Sequence, residues 1–211
     1  MTRAETTRQY ERSGSIPFGC TKLTQEDAFA QILELLKTNG VECQEVQLPN
    51  LDEISEMHGR IFFVEGAAYH YANFKDHIGS YPTIAQSWFA AALRGAPVGN
   101  YVNASEKRVR FASQVNRLLE EVDVILTPTL SVSRPRRDAK ELIVSDKSYD
   151  FTMALVRQTC LFDHTGHPAL AMPINVDAAS LSPSLQIVGR HQGENIILKF
   201  AGALERILSA R

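Results

Sequence analysis

The sequence predicts an α/β fold in which a mixed β-sheet forms the core and helices flank it. The apolar run VDVILTPTL, residues 122–130, lacks polar alternation and therefore indicates a strand buried on both faces. A helix–glycine–strand unit around Gly40 is a common piece of such folds, and near the end of the chain two strand-like runs precede an amphipathic helix. A single domain is expected over residues 20–211, after a poorly ordered segment at residues 1–19.

The first predicted helix follows a segment without pattern. The first 14 residues show no hydrophobic periodicity, and GSIPF after them is compatible with a short strand. Thr24 and Asp27 resemble a capping box, in which each side chain satisfies a free amide at the start of a helix. Apolar residues then recur at helical spacing until Gly40, which is predicted to end the helix in the left-handed conformation. Residues 41–49, VECQEVQLP, are predicted as a strand.

Three more helices are predicted before the central strand. Residues 51–76 carry apolar side chains at helical spacing and are predicted as one long helix. Pro82 suits the first turn of the next helix, which is expected to run to Gly95. Asn103, followed by Glu106, resembles the capped start of a third helix.

The last part of the chain is predicted to hold one long loop, two strands and two helical segments. Residues 131–150 are basic and polar, which indicates a loop that is either functional or disordered. Residues 150–160 are compatible with a helix. PALAMPINV at 168–176 and SLQIVGR at 184–190 are predicted strands joined by a hairpin-like loop. The closing helix is expected over residues 193–210.

Composition argues against several classes of partner. The formal net charge of −2 gives no reason to expect binding to nucleic acid or to an anionic membrane. No apolar run approaches the roughly 18 residues of a membrane span, and the polar N-terminus is unlike a secretory signal. Few, widely separated cysteines are typical of reduced thiols in the cytoplasm, which is the expected location. The three are Cys20, Cys43 and Cys160.

The stretch DHTGH is the main candidate for chemistry, because it places Asp163, His164 and His167 within five residues. Two histidines at this spacing can chelate a metal on a helix, but Gly166 and Pro168 argue against a helix there. Zinc requires three or four protein ligands, and the other histidines are scattered along the chain. We therefore expect no metal and no cofactor, and interpret Thr165–Gly166 as a tight turn that leads into a strand.

Three segments in order carry a resemblance to a known family. VDVILTPT, then TGHPALAMPI, then SLQIVGR before the closing helix together resemble the C-terminal half of the amidase signature family, over roughly residues 20–208. Asp163 stands where that family usually has asparagine. The positions that match the family pattern are Thr165, Gly166, Pro168, Ala169, Pro173, Gln186 and Gly189.

The resemblance implies an ancestry in amide hydrolysis. Family members cleave C–N bonds with a nucleophilic serine, a bridging serine and a lysine base, held in a segment rich in glycine and serine. The 12 glycines of this chain include no adjacent pair, so that segment is missing, and Ser15 is the single, weak candidate for a nucleophile. The resemblance also implies that four residues line the wall of a substrate pocket: Asp163, His164, Thr165 and Gly166.

Three hypotheses follow from this combination. The chain is a C-terminal portion of an amide hydrolase, inactive alone, whose substrate would be a small-molecule amide. Alternatively, it is a non-catalytic subunit that completes or regulates a separate catalytic chain, or that forms a homodimer, because a partial fold exposes sheet edges and apolar surface. A truncated gene product without a role remains the third hypothesis.

Overall fold

The computed structural model describes residues 3–6, 25–94, 97–132, 135–144, 146–174 and 183–210. Within these ranges the helices are α1 Gln25–Thr38, α2 Leu51–Phe74, α3 Thr83–Leu93, α4 Val98–Glu121, α5 Phe151–Val156, α6 Cys160–Thr165 and α7 Glu194–Ser209, with a 3₁₀ turn at Lys75–Ser80. The strands are β1 Arg3–Thr6, β2 Glu42–Glu45, β3 Val124–Pro128, β4 Glu141–Val144, β5 Lys147–Asp150, β6 Ala169–Pro173 and β7 Ser184–Val188.

The main sheet has five strands in the order β2-β1-β3-β7-β6. β1 runs parallel to both β2 and β3, whereas β7 runs antiparallel to both β3 and β6, so the sheet is mixed. β3 lies at the centre and all five of its residues are buried. The predictions of a mixed sheet and of a central strand in residues 122–130 are confirmed.

Two apolar cores lie on opposite faces of this sheet. Successive side chains of a strand point to opposite faces. Ile125 accordingly packs in the core that α2, α4 and α6 build, while Val124 and Leu126 pack in the core that α1 and α7 build. The helices therefore cover both faces, which is why β3 shows no polar alternation, and the predicted α/β class is confirmed.

Local signals place the ends of two helices. Asn50 caps α2, since its Oδ1 accepts hydrogen bonds from the backbone N–H of Asp52 at 2.8 Å and of Glu53 at 3.4 Å. Gly40 follows α1 with φ 79°, which confirms the predicted left-handed end. Helix α2 spans Leu51–Phe74 and so lies within the predicted range. It supplies much of the surface on which the candidate site is built.

Within residues 1–19, the segment expected to be poorly ordered, the structure describes the strand β1 at Arg3–Thr6. Arg3–Thr6 pairs with β2 on one side and with β3 on the other. Its strand conformation comes from these two long-range pairings, which a four-residue segment without alternation does not indicate by itself. Ser15, the GSIPF segment and the Thr24 cap lie outside the described residues.

The predicted start of the third helix is also wrong. Helix α4 begins at Val98, directly after Pro97, and Asn103 lies inside it rather than at its cap. Proline fixes φ near the helical value and lacks an N–H, so it is well tolerated where a helix begins. Pro82, predicted in the first turn of the preceding helix, lies one residue before it, at the N-cap of α3.

Part of the predicted loop at 131–150 is a β-hairpin, in which β4 and β5 pair antiparallel. The hairpin is attached to the start of α2 through Asp52, which accepts a hydrogen bond from the Tyr149 hydroxyl at 2.7 Å and pairs with Lys147 at 3.0 Å. The Arg157 guanidinium lies 2.7 Å from the same carboxylate. The Tyr149 hydrogen bond, together with these cations, lowers the pKa of Asp52 to about 2.

Candidate functional site

The DHTGH stretch contains the end of a helix and a left-handed turn. Helix α6 ends at Thr165, and Gly166 has φ 72° and donates its N–H to the carbonyl oxygen of Phe162 at 2.9 Å. Gly166 has the predicted left-handed conformation, but the expectation that this stretch is not helical is wrong for Asp163–Thr165, which form the last residues of α6. Because Gly166 ends the helix between His164 and His167, the two histidines do not share one helix face, and they take part in different clusters.

The structure separates the four residues predicted to line a pocket wall. Asp163 and His164 face a cleft of about 450 Å³ between α2, α4 and α6. Thr165 is buried, and its hydroxyl contacts His167 instead. A side chain at Gly166 would meet the ring of His191. Only the first two of the four residues therefore line the cleft.

The floor of the cleft contains a pair of histidines. His58 Nδ1 lies 2.9 Å from His164 Nε2, so one of the two rings donates a hydrogen bond to the other. His58 comes from α2 and is only 6% exposed, and its ring stacks on Phe62 with a centroid distance of 5.0 Å. Sequence reasoning missed His58, because it is 106 residues away from its partner and no local motif surrounds it.

Burial keeps both rings of this pair neutral near pH 7. Loss of water, followed by the nearby His58 and Arg108, lowers the pKa of His164 to about 4, while Glu65 opposes the change. Burial likewise lowers the pKa of His58, against the opposing effect of Asp163. Burial also raises the pKa of the Asp163 carboxyl, with His58 acting in the other direction. The cleft thus holds a neutral donor–acceptor pair rather than a fixed positive charge.

The charged groups at the side of the cleft are largely engaged with one another. Glu65 Oε1 accepts a hydrogen bond from the Tyr101 hydroxyl at 2.8 Å and pairs with Arg108 at 3.3 Å. The rings of Phe62 and Tyr69 line the same cleft and remain 53% and 58% exposed. The arrangement suits an uncharged ligand with an apolar part.

A second cluster holds the turn in place. The buried His167 ring lies with Nδ1 2.8 Å from the Thr165 hydroxyl and Nε2 3.1 Å from Asn116 Oδ1, so the hydroxyl donates to the first nitrogen and the second donates to the amide oxygen. The His191 ring lies beside it, with a centroid distance of 4.2 Å. Burial, followed by His191, lowers the pKa of His167 to about 4. Because both nitrogens are used, His167 stabilises the turn instead of meeting a ligand.

The left-handed turn at Gly166 predicts a measurable cost for a side chain. Gly166→Ala is expected to lower the free energy of unfolding by about 1 kcal/mol, because φ 72° is unfavourable for a residue with a Cβ atom. Urea unfolding followed by circular dichroism measures it. Gly40→Ala is the matched comparison, since Gly40 has φ 79° and open space around it, and the two losses should be similar. Gly99→Ala in α4 should cost nothing, and an equal loss there would contradict the explanation.

Other candidates add no site within the part of the chain that the structure describes. No group of three or more histidine, cysteine, aspartate or glutamate side chains in that part is arranged to hold a metal ion. Burial raises the pKa of the Cys160 thiol to about 12, which leaves it unreactive near neutral pH. None of the described helices combines the length and the apolar character that crossing a membrane requires.

The fold resembles that of known amide-hydrolysing proteins. A solved structure described as an amidase is 25% identical and superposes with a TM-score of 0.75, covering 86% of this chain and 41% of that one. A bacterial aryl acylamidase of the amidase signature family shares the fold at 18% identity, with a TM-score of 0.73 over 98% of this chain and 43% of its own. These likenesses define an α/β protein with the amidase signature fold.

The family follows from the sequence comparison. The family model described as Amidase matches residues 15–198, and the chain belongs to that family. A fatty acid amide hydrolase from Oryza sativa subsp. indica is 28% identical over 189 residues, or 87% of this chain and 30% of the relative. A putative amidase, AmiD, from Mycobacterium bovis is 25% identical over 144 residues, or 68% of this chain and 30% of the relative. The chain therefore spans about 30% of the length of these curated relatives.

Proposed function

We propose that this chain forms the pocket-bearing, C-terminal portion of a hydrolase that cleaves the C–N bond of small-molecule amides. The observation that carries the proposal is the family match over residues 15–198, together with relatives named for amide hydrolysis. The cleft supports it, because Asp163 and His164, which resemblance to the family assigns to the pocket wall, line a concave surface beside exposed aromatic rings. Those two side chains and His58 are the proposed contacts to substrate.

We further propose that the 211 residues are inactive by themselves. Attack on an amide carbonyl requires a hydroxyl activated by a neighbouring base and backbone amides that stabilise the oxyanion. The family resemblance places these groups in a glycine- and serine-rich segment, and this sequence has no adjacent glycines. The nucleophile and its base would then come from another polypeptide segment, which closes over the cleft beside α6.

The test is an activity assay on the purified 211-residue chain with a panel of aryl and alkyl amides. No turnover above buffer is expected, because the chain offers a pocket wall without an activated nucleophile. Ser15→Ala removes the one weak candidate nucleophile, and Ser209→Ala, at the exposed end of α7, is the matched control. Turnover that disappears in the first variant and persists in the second would overturn the proposal.

A second candidate function is that of a non-catalytic subunit completing a separate catalytic chain, and the two sheet edges favour it. β2, at one edge, carries the exposed charges of Glu42 and Glu45, which discourage pairing with another chain. β6, at the other edge, has the sequence ALAMP with no charge, and it exposes Ala169, Ala171 and Pro173. Among the described residues β6 pairs only with β7. We propose that a strand of the catalytic chain adds to β6.

Helix α3 gives this candidate independent support. Its sequence TIAQSWFAAAL is largely apolar, yet none of its residues is fully buried, and Ile84 and Leu93 are 57% and 54% exposed. Apolar surface of this kind is typical of a face that another chain covers. Because the chain spans about 30% of its curated relatives, the remainder of such a relative is the natural source of a complementing chain.

The subunit hypothesis is tested by co-expressing the chain with the part of the rice relative that lies outside the matched 189 residues. Sedimentation should show a complex of the two polypeptides, and an assay of this complex should show hydrolysis of amides. Ala171→Lys, on the uncharged edge, should abolish the complex, whereas Glu45→Lys on the opposite edge should leave it intact. A monomer that forms no complex, or a homodimer that Ala171→Lys disrupts, would contradict a catalytic partner at this edge.

A further inference from the structure

We propose that Asp52 is an ionic latch that holds the β4–β5 hairpin closed, and that the hairpin opens as one unit when this latch is broken, while the rest of the chain stays folded. Asp52 lies in the first turn of α2, and the hairpin spans residues 141–150. The latch involves none of the residues that line the cleft, so it stands independently of the proposed function.

The hairpin has few sources of stability of its own. Within the described part of the chain, β4 and β5 pair only with each other and do not join the main sheet. Val144 is buried, but the other residues of the two strands are exposed or half-buried. A two-stranded ribbon by itself is only marginally stable in water. Contacts outside the two strands therefore have to supply the free energy that keeps the hairpin closed.

Three side chains converge on the Asp52 carboxylate, and two of them come from β5. The Tyr149 hydroxyl donates a hydrogen bond to Oδ1 at 2.7 Å, and Lys147 Nζ lies 3.0 Å from Oδ2. The Arg157 guanidinium pairs with Oδ1 at 2.7 Å and lies over the Tyr149 ring, 4.6 Å from its centroid. The Arg157 side chain is only 12% exposed, so loss of the Asp52 charge would remove the carboxylate that a largely buried cation faces.

The part of the chain that follows the hairpin is attached to the body separately. The hairpin packs against α5, and Val156 at the end of α5 packs against the core that α2, α4 and α6 build. The carbonyl oxygen of Gln158 accepts a hydrogen bond from Gln186 Nε2 of β7 at 3.1 Å. These contacts do not involve Asp52, so breaking the latch releases the hairpin and leaves α5 and the start of α6 in place.

The latch should respond to ionic strength. The side chains of Asp52 and Lys147 are 43% and 67% exposed, so dissolved ions reach this pair. The distance over which charges act through water falls from about 10 Å at 0.1 M salt to about 3 Å at 1 M. A high salt concentration should therefore weaken the latch and favour the open hairpin.

Hydrogen exchange of the 211-residue chain at pH 7, followed by mass spectrometry of peptides that cover residues 141–150, measures the opening. Asp52→Asn should accelerate exchange there about tenfold, the scale of a lost hydrogen bond to a charged group, and leave β3 and β7 protected. Salt at about 1 M should accelerate exchange in the unaltered chain and have less effect in Asp52→Asn. Glu53→Gln is the matched control, because Glu53 follows Asp52 in α2 but pairs with Arg110 on α4 at 2.8 Å.

Hairpin exchange that is unchanged in Asp52→Asn, or accelerated equally in Glu53→Gln, would overturn the inference. Hairpin exchange as slow as that of β3 in the unaltered chain would also overturn it, since the hairpin would then open only when the whole chain unfolds. If Asp52→Asn does not fold, Tyr149→Phe decides, because it removes one hydroxyl and keeps the ring beneath Arg157. Exchange at least about threefold faster in Tyr149→Phe supports the latch, and unchanged exchange contradicts it.

Discussion

Replacing Leu126 by alanine is expected to lower the free energy of unfolding by about 3 kcal/mol. Leu126 is fully buried in the central strand, where it pairs with Thr6 of β1 and with Ile187 of β7. Strands on both sides and helices α1 and α7 on its face prevent the structure from closing around the missing atoms, so both transfer free energy and packing are lost. Urea unfolding at 25 °C, followed by circular dichroism, measures the change.

Val109→Ala is the control for this prediction. Val109 lies on α4 and is 67% exposed, so its truncation should change the free energy of unfolding by less than about 0.5 kcal/mol. Equal losses of unfolding free energy in the two variants would mean that β3 does not lie at the centre of a packed core.

Acidification is expected to produce the second large effect, through His164 and His167. Both pKa values fall from the ordinary 6.5 to about 4 in the folded chain, chiefly because burial disfavours the charged ring. Between those two values the unfolded chain binds more protons, so stability rises with pH. The contribution is complete above pH 6.5 and is lost as the pH falls towards about 4. The full shift of each ring would correspond to about 3 kcal/mol, and each ring contributes only part of this because water that still reaches it screens its charge.

Two nearby groups modify the size of this acid effect. His58 faces His164, and their mutual repulsion when charged makes the two titrations a joint property of the pair. Asp163, whose pKa burial raises, opposes the loss, because its protonation is easier in the folded chain than in the unfolded one. His58, whose own pKa burial lowers, adds to the loss of stability in acid, whereas Asp163 reduces it.

Urea unfolding at pH 7, 6 and 5 tests the acid effect. The unaltered chain should lose stability at each step. His167→Gln should be less stable at pH 7, where it lacks the turn's hydrogen bonds, but its stability should depend less steeply on pH. His77→Gln, in the exposed 3₁₀ turn, should follow the unaltered chain. A flat profile in the unaltered chain would show that neither ring is held neutral by burial.

Much of the fold could be predicted because its signals are local. The unbroken apolar run of β3 reports burial on both faces, and Gly40 and Gly166 occupy the left-handed conformations that their positions predicted. Signals of this kind depend only on residues that are adjacent in the sequence. The strand Arg3–Thr6 and the polar hairpin β4–β5 carry no such signal, because their conformation depends on pairing with other strands and, for the hairpin, on contacts with Asp52.

The site was only half predictable for the same reason. Asp163 and His164 stand in a motif whose order along the chain resembles the amidase family, and both line the cleft. Thr165 belongs to the same motif, but the helical geometry of α6 turns its side chain inwards, towards His167. Consecutive residues of a helix point in different directions, so the residues of one short motif do not all line the same side of a pocket.

The sequence by itself therefore determined the family, the α/β class and the presence of a mixed sheet. These follow from motifs and from hydrophobic periodicity, and both depend on residues that are close together along the chain. The tertiary structure alone decided that His58 meets His164 and that an aromatic cleft surrounds them. That contact joins α2 to α6 across 106 positions, and it exists only because both helices pack on one face of the sheet.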